Sequence, residues 1–211
     1  MFPPLYAILD LTPGSGSILP LAESLAAAGV RLLQIRAKHC TARQLFEESQ
    51  WLVARFSAIR DMRIIVNDRP DIARMAGAAG VHVGQDDLPV ERAREICGKG
   101  LWVGVSTHSL EQLREADATS ADYIAVGPVF PTQTKERPDP VVGVEFLRQA
   151  RTRTQKPLVA IGGITIESAE QVYRAGADSV AVIRDLSQAA DAGRRAGEYL
   201  RIAQRVRELR G

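Results

Sequence analysis

Polar and apolar side chains alternate in the segment Gln34-Ile35-Arg36-Ala37-Lys38, which completes a short apolar run. In an extended strand this alternation places the amide and the two cations on one face, and Ile35 and Ala37 on the other. If the apolar face packs against neighbouring elements, the cations point inward, where unpaired charges are costly. A bound polyanion would balance them, because arginine offers a fork of donors and lysine a point charge. Ion pairs with carboxylates of neighbouring strands are the alternative.

Two carboxylates stand directly after later apolar runs. Asp68 belongs to Asn67-Asp68-Arg69-Pro70 and Asp87 to Gly84-Gln85-Asp86-Asp87. Mg²⁺ typically takes one or two carboxylates together with phosphate oxygens and water. The pair therefore predicts a divalent cation that bridges to a phosphate group. The alternative for Asp68 is a helix N-cap, since Pro70 suits a first helical turn.

A serine and two histidines raise the possibility of a nucleophile. Ser106 lies close to His108 in the chain, but the segment also reads as the cap of a helix that starts near Ser109. No G-x-S-x-G elbow is present, so acyl transfer is disfavoured. His82 lies inside an apolar run, where we expect a hydrogen-bonded interior residue.

The remaining candidates are suited to binding a phosphate. Thr132, Thr134 and Lys135 stand in a loop that could cover an anionic ligand and exclude water. Gly163 belongs to a Gly-Gly pair whose accessible N–H groups suit a phosphate, and Arg184 directly follows the last apolar run. We therefore expect two anion sites with a carboxylate pair between them, which indicates two phosphorylated substrates joined at one place.

Eight short apolar runs, about 25 residues apart, must position these groups: 5–9, 31–35, 63–66, 81–83, 102–105, 123–126, 158–161 and 179–183. Segments of helical period separate them, one of them over 167–175 after Thr165. Gly29, Gly80 and Gly176 stand where helices should end. Strand and helix in strict alternation predict one (β/α)₈ TIM barrel over residues 1–211, with its chemistry at the C-terminal mouth. An open doubly wound sheet is the alternative, but its third phosphate-binding glycine is missing.

Composition excludes several classes of protein. The 211 residues carry a formal charge of only +2 and 5% aromatic residues, which argues against a nucleic-acid partner. A basic run over 194–210 is expected to be the solvated face of a last helix. No stretch without a charged residue exceeds 12 residues, so we expect no membrane span, and no signal peptide is evident. Two cysteines without a partner motif suit a cytoplasmic protein.

The polar segments taken together resemble thiamine-phosphate synthases, in order, over residues 5–186. The matching motifs are Gln34-Ile35-Arg36-Ala37-Lys38, Asn67-Asp68-Arg69, Val81-His82-Val83-Gly84-Gln85-Asp86-Asp87, Gly104-Val105-Ser106-Thr107-His108, Gly127-Pro128-Val129-Phe130-Pro131-Thr132-Gln133-Thr134-Lys135 and Ile161-Gly162-Gly163-Ile164. The resemblance implies a TIM barrel that couples hydroxymethylpyrimidine diphosphate to hydroxyethylthiazole phosphate with Mg²⁺. Its partners would be these small molecules, and a homo-oligomer is compatible with it.

The resemblance also implies a role for each residue. The residues on the pyrimidine diphosphate side would be Gln34, Arg36, Lys38, Asn67, Ser106 and Lys135, with Lys38, Lys135 and Ser106 assisting the reaction. The metal ligands would be Asp68 and Asp87. The residues on the thiazole phosphate side would be Thr132, Thr134, Gly163, Ile183 and Arg184.

The sequence departs from the family pattern after the last strand, where Arg184-Asp185-Leu186 replaces the usual Ser-Ala-Ile. Two alternatives follow from related barrels and from this change. A thiazole tautomerase paralogue typically loses the metal carboxylates and has histidine at the position of Pro128. A non-catalytic sensor of thiamine phosphates would keep the pocket without needing groups that stabilise a leaving diphosphate.

Overall fold

The eight predicted strands form one closed, parallel barrel. The structure is a computed structural model that describes residues 1–12, 17–132 and 139–210. The strands are β1 (Leu5–Asp10), β2 (Leu32–Arg36), β3 (Arg63–Asn67), β4 (Gly80–Val83), β5 (Trp102–Thr107), β6 (Tyr123–Val126), β7 (Leu158–Ile161) and β8 (Ser179–Val182). Each strand pairs with its neighbour in the chain, and β8 pairs with β1. The (β/α)₈ prediction is confirmed.

Helices follow the strands and cover the outside of the barrel. They are α1 (Leu19–Ala27), α2 (Ala42–Phe56), α3 (Pro70–Met75), α4 (Val90–Cys97), α5 (Leu110–Asp117), α6 (Gly143–Arg151), α7 (Ile166–Arg174), α8 (Arg184–Ser187) and α9 (Ala192–Glu208). Thr165 is the N-cap of α7, as its position before the helical period predicts. Among the residues that the structure describes, no helix combines the length and apolar character needed to span a bilayer.

Alternation along the strands divides the core into two parts. Outward residues such as Leu33 and Ile35 pack beneath the helices. The inward residues form an interior cluster of Tyr6, Ile8, Leu32, Ile65, Tyr123, Ala125, Val159 and Ala181. Tyr123 is fully buried there and lies edge-on to Tyr6, with ring centroids 5.9 Å apart. The interior is therefore a packed core, so reacting groups must lie at one of its ends.

The N-terminal end of the barrel is closed by aromatic packing. The Phe2 and Trp102 rings stack with centroids 5.3 Å apart, and the Arg63 guanidinium lies 3.8 Å from the centre of the Trp102 ring. A cavity of about 610 Å³ lies beside them. Arg31 and Arg207, which line it, donate to main-chain carbonyls at the helix and chain ends. These groups hold the fold together, and the C-terminal mouth is left for chemistry.

The predicted solvated face of the last helix is only partly observed. Arg194 and Arg201 of α9 are exposed, whereas Arg195 and Arg207 are half-buried. Arg195 forms an ion pair of 2.8 Å with Asp185. The basic run therefore also fastens the neighbouring α8 and the chain start.

Two of the three predicted helix-ending glycines have that role. Gly29 and Gly176 have φ values of +100° and +116°, which favour glycine. The prediction for Gly80 is wrong, because Gly77, with φ of +71°, ends α3 and Gly80 is the first residue of β4. A Cβ at Gly80 would lie 2.4 Å from the Trp102 carbonyl oxygen. Close approach of two strands, not a turn, requires this glycine.

We expect Gly80→Ala to destabilise the barrel by about 2 kcal/mol, because the added methyl group meets main-chain atoms that cannot move aside. Thermal denaturation should show a melting temperature lower by roughly 4–8 °C. Gly100→Ala is the matched control, since a Cβ there meets nothing within 4 Å. Equal melting temperatures for the two variants would contradict this explanation.

Candidate active site

The end of β2 directs two of the predicted polar side chains into the barrel. Gln34 is buried, and its Nε2 donates a hydrogen bond of 2.7 Å to the Tyr6 hydroxyl, as the alternation predicts. Arg36 is half-buried, and its Nη1 lies 2.6 Å from Oδ1 of Asp10 on the neighbouring β1. For Arg36 the structure thus shows the ion pair that was the alternative to a bound anion. Arg36, the last residue of β2, lies at the C-terminal mouth, and the buried Gln34 lies beneath it.

Lys38, Asp68 and Asp87 meet above the ends of β2, β3 and β4. The Lys38 ammonium contacts Oδ2 of Asp68. Asp87 folds back on its own loop, where the Gly84 N–H donates a hydrogen bond of 2.8 Å to Oδ2. Burial, and next the neighbouring Asp68 carboxyl, raise the pKa of the Asp87 carboxyl, while the Gly84 N–H and Lys38 lower it. The predicted carboxylate pair is therefore assembled.

The backbone also presents Asp68 to the mouth. Its φ is +60°, a left-handed conformation that costs energy in residues other than glycine and is often found at functional sites. The Asp68 N–H donates a hydrogen bond of 2.7 Å to the His82 carbonyl. The predicted N-cap role is not observed, because Arg69 is the N-cap of α3. The Asp68 carboxylate instead turns toward Lys38 and Asp87.

The carboxylate pair fits a divalent cation. Two carboxyl groups close enough to raise a pKa face one ammonium group, so added positive charge between them would be favourable. Within the described ranges, no group of three or more histidine, cysteine, aspartate or glutamate side chains could hold a metal. Mg²⁺ typically binds one or two protein carboxylates, and phosphate oxygens and water complete its coordination shell.

Ser106, at the end of β5, belongs to a chain of buried hydrogen bonds. His82 Nε2 lies 2.9 Å from Ser106 Oγ, and His82 Nδ1 lies 3.1 Å from the Tyr123 hydroxyl. The Tyr6 hydroxyl lies 2.9 Å from that of Tyr123. Burial lowers the pKa of His82 to about 4, so the imidazole is neutral near pH 7. Gln85 completes the support by donating a hydrogen bond of 2.6 Å to the Ser106 carbonyl.

His108, the histidine nearest to Ser106 in the chain, has other partners. Its Nδ1 lies 2.5 Å from the Gly127 carbonyl oxygen, and its Nε2 lies 3.4 Å from Oδ2 of Asp139. Ser109 caps α5, as the alternative interpretation of this segment predicts. His108 thus ties the end of β5 to the segment after β6, and the histidine that contacts Ser106 is His82.

The loops after β6 and β7 lock together through the glycine pair. Gly162 and Gly163 have φ values of +100° and +62°, and a Cβ on Gly163 would lie 2.4 Å from the Pro131 carbonyl oxygen. The Phe130 N–H donates a hydrogen bond of 3.0 Å to the Gly162 carbonyl. Close packing of the two loops therefore requires the glycines, in addition to the phosphate binding that the sequence predicts for them. Thr132 lies next to this contact, whereas Thr134 and Lys135 lie outside the described residues.

The end of β8 passes directly into α8. Ile183 is the N-cap of this helix, and its side chain packs against the interior cluster. Arg184 is exposed at the first helical position. Asp185, the next residue, accepts a hydrogen bond of 2.8 Å from the Tyr199 hydroxyl. The helix that carries Arg184 is therefore anchored by α9 beside the loops after β7 and β8.

Sequence reasoning missed four polar residues that support the site: Asp10, Gln85, Tyr6 and Tyr123. Tyr6 and Tyr123 lie inside predicted strands, where they count as apolar core. The available signal was the phenol group itself, since a buried tyrosine hydroxyl needs a hydrogen-bond partner. Asp10 could have been found because it ends the strand next to Arg36.

Comparisons with known proteins agree on one family. The family model described as thiamine monophosphate synthase matches residues 5–186. A thiamine-phosphate synthase of Koribacter versatilis is 47% identical over 205 residues, which cover 95% of each chain. The synthase of Methanospirillum hungatei is 42% identical over 85% of this chain and 87% of its own.

A solved structure gives the same result. The thiamine phosphate pyrophosphorylase from Pyrococcus furiosus superposes with a TM-score of 0.83 at 33% identity, covering 96% of both chains. A 3-hexulose-6-phosphate synthase, at 21% identity and a TM-score of 0.66, shares the fold. Because the family model spans all eight strands and relatives align nearly end to end, the chain belongs to the thiamine-phosphate synthase family.

Proposed function

We propose that the barrel mouth condenses hydroxymethylpyrimidine diphosphate with hydroxyethylthiazole phosphate to give thiamine monophosphate and diphosphate. The observation that carries the proposal is the cluster of Lys38, Asp68 and Asp87 on adjacent strand ends. A diphosphate leaving group needs cations and a metal at one place, and this cluster offers one cation and two carboxylates that would hold the metal. Membership of the synthase family supports the same reaction.

The residues on the β2 to β5 side would bind the diphosphate. Arg36 and Lys38 would contribute positive charge, and Asn67 at the end of β3 and Ser106 near the end of β5 would contribute polar groups. Lys135, which lies outside the described residues, would join them, and Gln34 would lie near the pyrimidine ring. Asp68 and Asp87 would hold Mg²⁺, which supplies positive charge beside the departing diphosphate.

The proposed reaction is dissociative. The bond between the pyrimidine methylene carbon and the diphosphate oxygen breaks, and its electron pair leaves with the diphosphate. The electron-rich pyrimidine stabilises the cation, and the thiazole nitrogen then forms the new carbon–nitrogen bond. The protein provides charge for the leaving group and holds two substrates in line, so no protein nucleophile is needed.

The thiazole phosphate would bind on the opposite side of the mouth. Gly163 and the main chain at Ile183 follow the neighbouring strands β7 and β8, and Thr132 follows β6. Thr134, which lies outside the described residues, would join them. Arg184 adds a cation where the family usually has serine. We propose that it strengthens binding of the thiazole phosphate.

The cellular setting is also a proposal. Cys40 and Cys97 are free thiols, which suits the reducing cytoplasm. The partners would be the two small-molecule substrates, without a nucleic acid or a membrane. A homo-oligomer is compatible with this function.

Asp87→Asn should reduce Mg²⁺-dependent formation of thiamine phosphate roughly 100-fold, because metal charge stabilisation is worth several kcal/mol. Product and released diphosphate would be measured with both substrates, with Mg²⁺ and after its removal with a chelator. Asp86→Asn is the matched control, since Asp86 is exposed on the same loop. Equal activity of the two variants would remove the metal assignment. Tight product binding without turnover by the unaltered protein would instead favour a sensor.

Arg184→Ser should raise the KM for thiazole phosphate roughly tenfold, because a hydrogen bond to a charged group contributes about 1.5–3 kcal/mol. The KM for pyrimidine diphosphate should stay the same. Steady-state kinetics with each substrate varied in turn would test this. Arg194→Ser, which changes an exposed arginine of α9, should alter neither constant. If only the KM for pyrimidine diphosphate changed, the assignment of Arg184 to the thiazole phosphate would be wrong.

A further inference from the structure

Five buried or half-buried polar side chains cross the barrel beneath the mouth in one continuous chain. The order is Gln34, Tyr6, Tyr123, His82 and Ser106, and the four contacts measure 2.7, 2.9, 3.1 and 2.9 Å. The chain begins on β2 and ends on β5, so it joins both edges of the proposed diphosphate site. Each contact has hydrogen-bond length, so each contact must join one donor to one acceptor.

The direction of the chain follows from its first member. Gln34 donates from Nε2 to the Tyr6 oxygen. Either hydroxyl could donate in the contact between Tyr6 and Tyr123, and because Tyr6 already accepts from Gln34, its own O–H is left to donate to Tyr123. The Tyr123 oxygen is then an acceptor, and its own O–H donates to His82 Nδ1. An accepting Nδ1 carries no proton, so the neutral ring carries its proton on Nε2 and donates it to Ser106 Oγ.

We propose that Tyr123 is a positioning residue that fixes the His82 tautomer and thereby aims the Ser106 hydroxyl. With its oxygen accepting from His82, Ser106 must use its only hydrogen as a donor elsewhere. Ser106 is half-buried at the end of β5, so that hydrogen is available to an anion in the mouth. The inference rests on the proposed function, because it takes the diphosphate as that anion.

Packing keeps this arrangement rigid. Tyr123 stacks on His82, with ring centroids 5.5 Å apart and an interplanar angle of 25°. A Cβ on Gly104 of the adjacent β5 would lie 2.0 Å from Tyr123 Cζ, so the ring fills the space that this glycine leaves. The phenol can therefore neither turn away nor be replaced by water without a change in the core.

The first test reads the proton on His82 in the unaltered protein without substrate. Nitrogen-15 NMR distinguishes a protonated from an unprotonated ring nitrogen, and His82→Gln identifies the His82 signals among those of three histidines. We expect the proton on Nε2 and none on Nδ1. A proton on Nδ1 would reverse the chain, make Ser106 the donor to His82, and overturn the proposal.

The second test is a double-mutant cycle of Tyr123→Phe and Ser106→Ala. Tyr123→Phe should raise the KM for pyrimidine diphosphate about fivefold, the effect of one typical hydrogen bond. In the Ser106→Ala protein the same change should have less than a twofold effect, because Tyr123 acts through Ser106. A structural role of Tyr123 alone would give independent, multiplicative effects, and that result would contradict the proposal.

Controls separate this inference from the others. Tyr173→Phe removes another buried hydroxyl, which donates a hydrogen bond of 2.8 Å to the Pro4 carbonyl at the far end of the barrel. This change should leave the KM for pyrimidine diphosphate unchanged. Thermal denaturation verifies that each variant is folded. If Tyr123→Phe does not fold, the NMR experiment on the unaltered protein decides the proposal. An unaltered protein without turnover contradicts the proposed function, whereas an active protein with independent effects contradicts this inference alone.

Discussion

The buried hydroxyl of Tyr123 is the constraint on which the barrel interior depends. A phenol at zero exposure must form hydrogen bonds inside the protein, because water cannot reach it. Tyr6 and His82 supply those bonds, and Gly104 supplies the space for the ring. Burial raises the pKa of both phenols, so both hydroxyls keep their protons and remain donors. One polar group at the centre thus determines which side chains the neighbouring strands can carry.

A second constraint is charge compensation at the mouth. Arg36 is balanced by Asp10, and Lys38 by Asp68, so the net charge of +2 conceals a concentrated set of opposite charges. These pairs hold the cations in place at the strand ends. In the proposed reaction a diphosphate and a divalent cation would bring opposite charges, so binding both together would give these side chains new partners of opposite charge. The proposed function would thus explain why cations and carboxylates occur together at the mouth.

The fold and the mouth could be predicted because both follow from local patterns. Apolar runs fixed the strands, alternation placed Gln34 inside, and the strand ends brought Asp68 and Asp87 together. The partner of Ser106 could not be predicted, because proximity in the chain pointed to His108. Contact between Ser106 and His82 depends on the register of two strands and on the ring of a third residue. Register of that kind is a property of the closed barrel, which no local segment encodes.

The interior is organised in three layers that differ in polarity. Aromatic packing of Phe2 and Trp102 closes the base, the tyrosine and histidine hydrogen bonds form the middle, and ion pairs occupy the mouth. The middle layer separates the charges from the apolar base, and it accepts polar groups only because each has a partner. Since all of its hydrogen bonds run in one direction, donation by Gln34 on β2 determines that Ser106 on β5 accepts a hydrogen bond from His82. The layer that supports the site therefore also sets which groups of the site can donate.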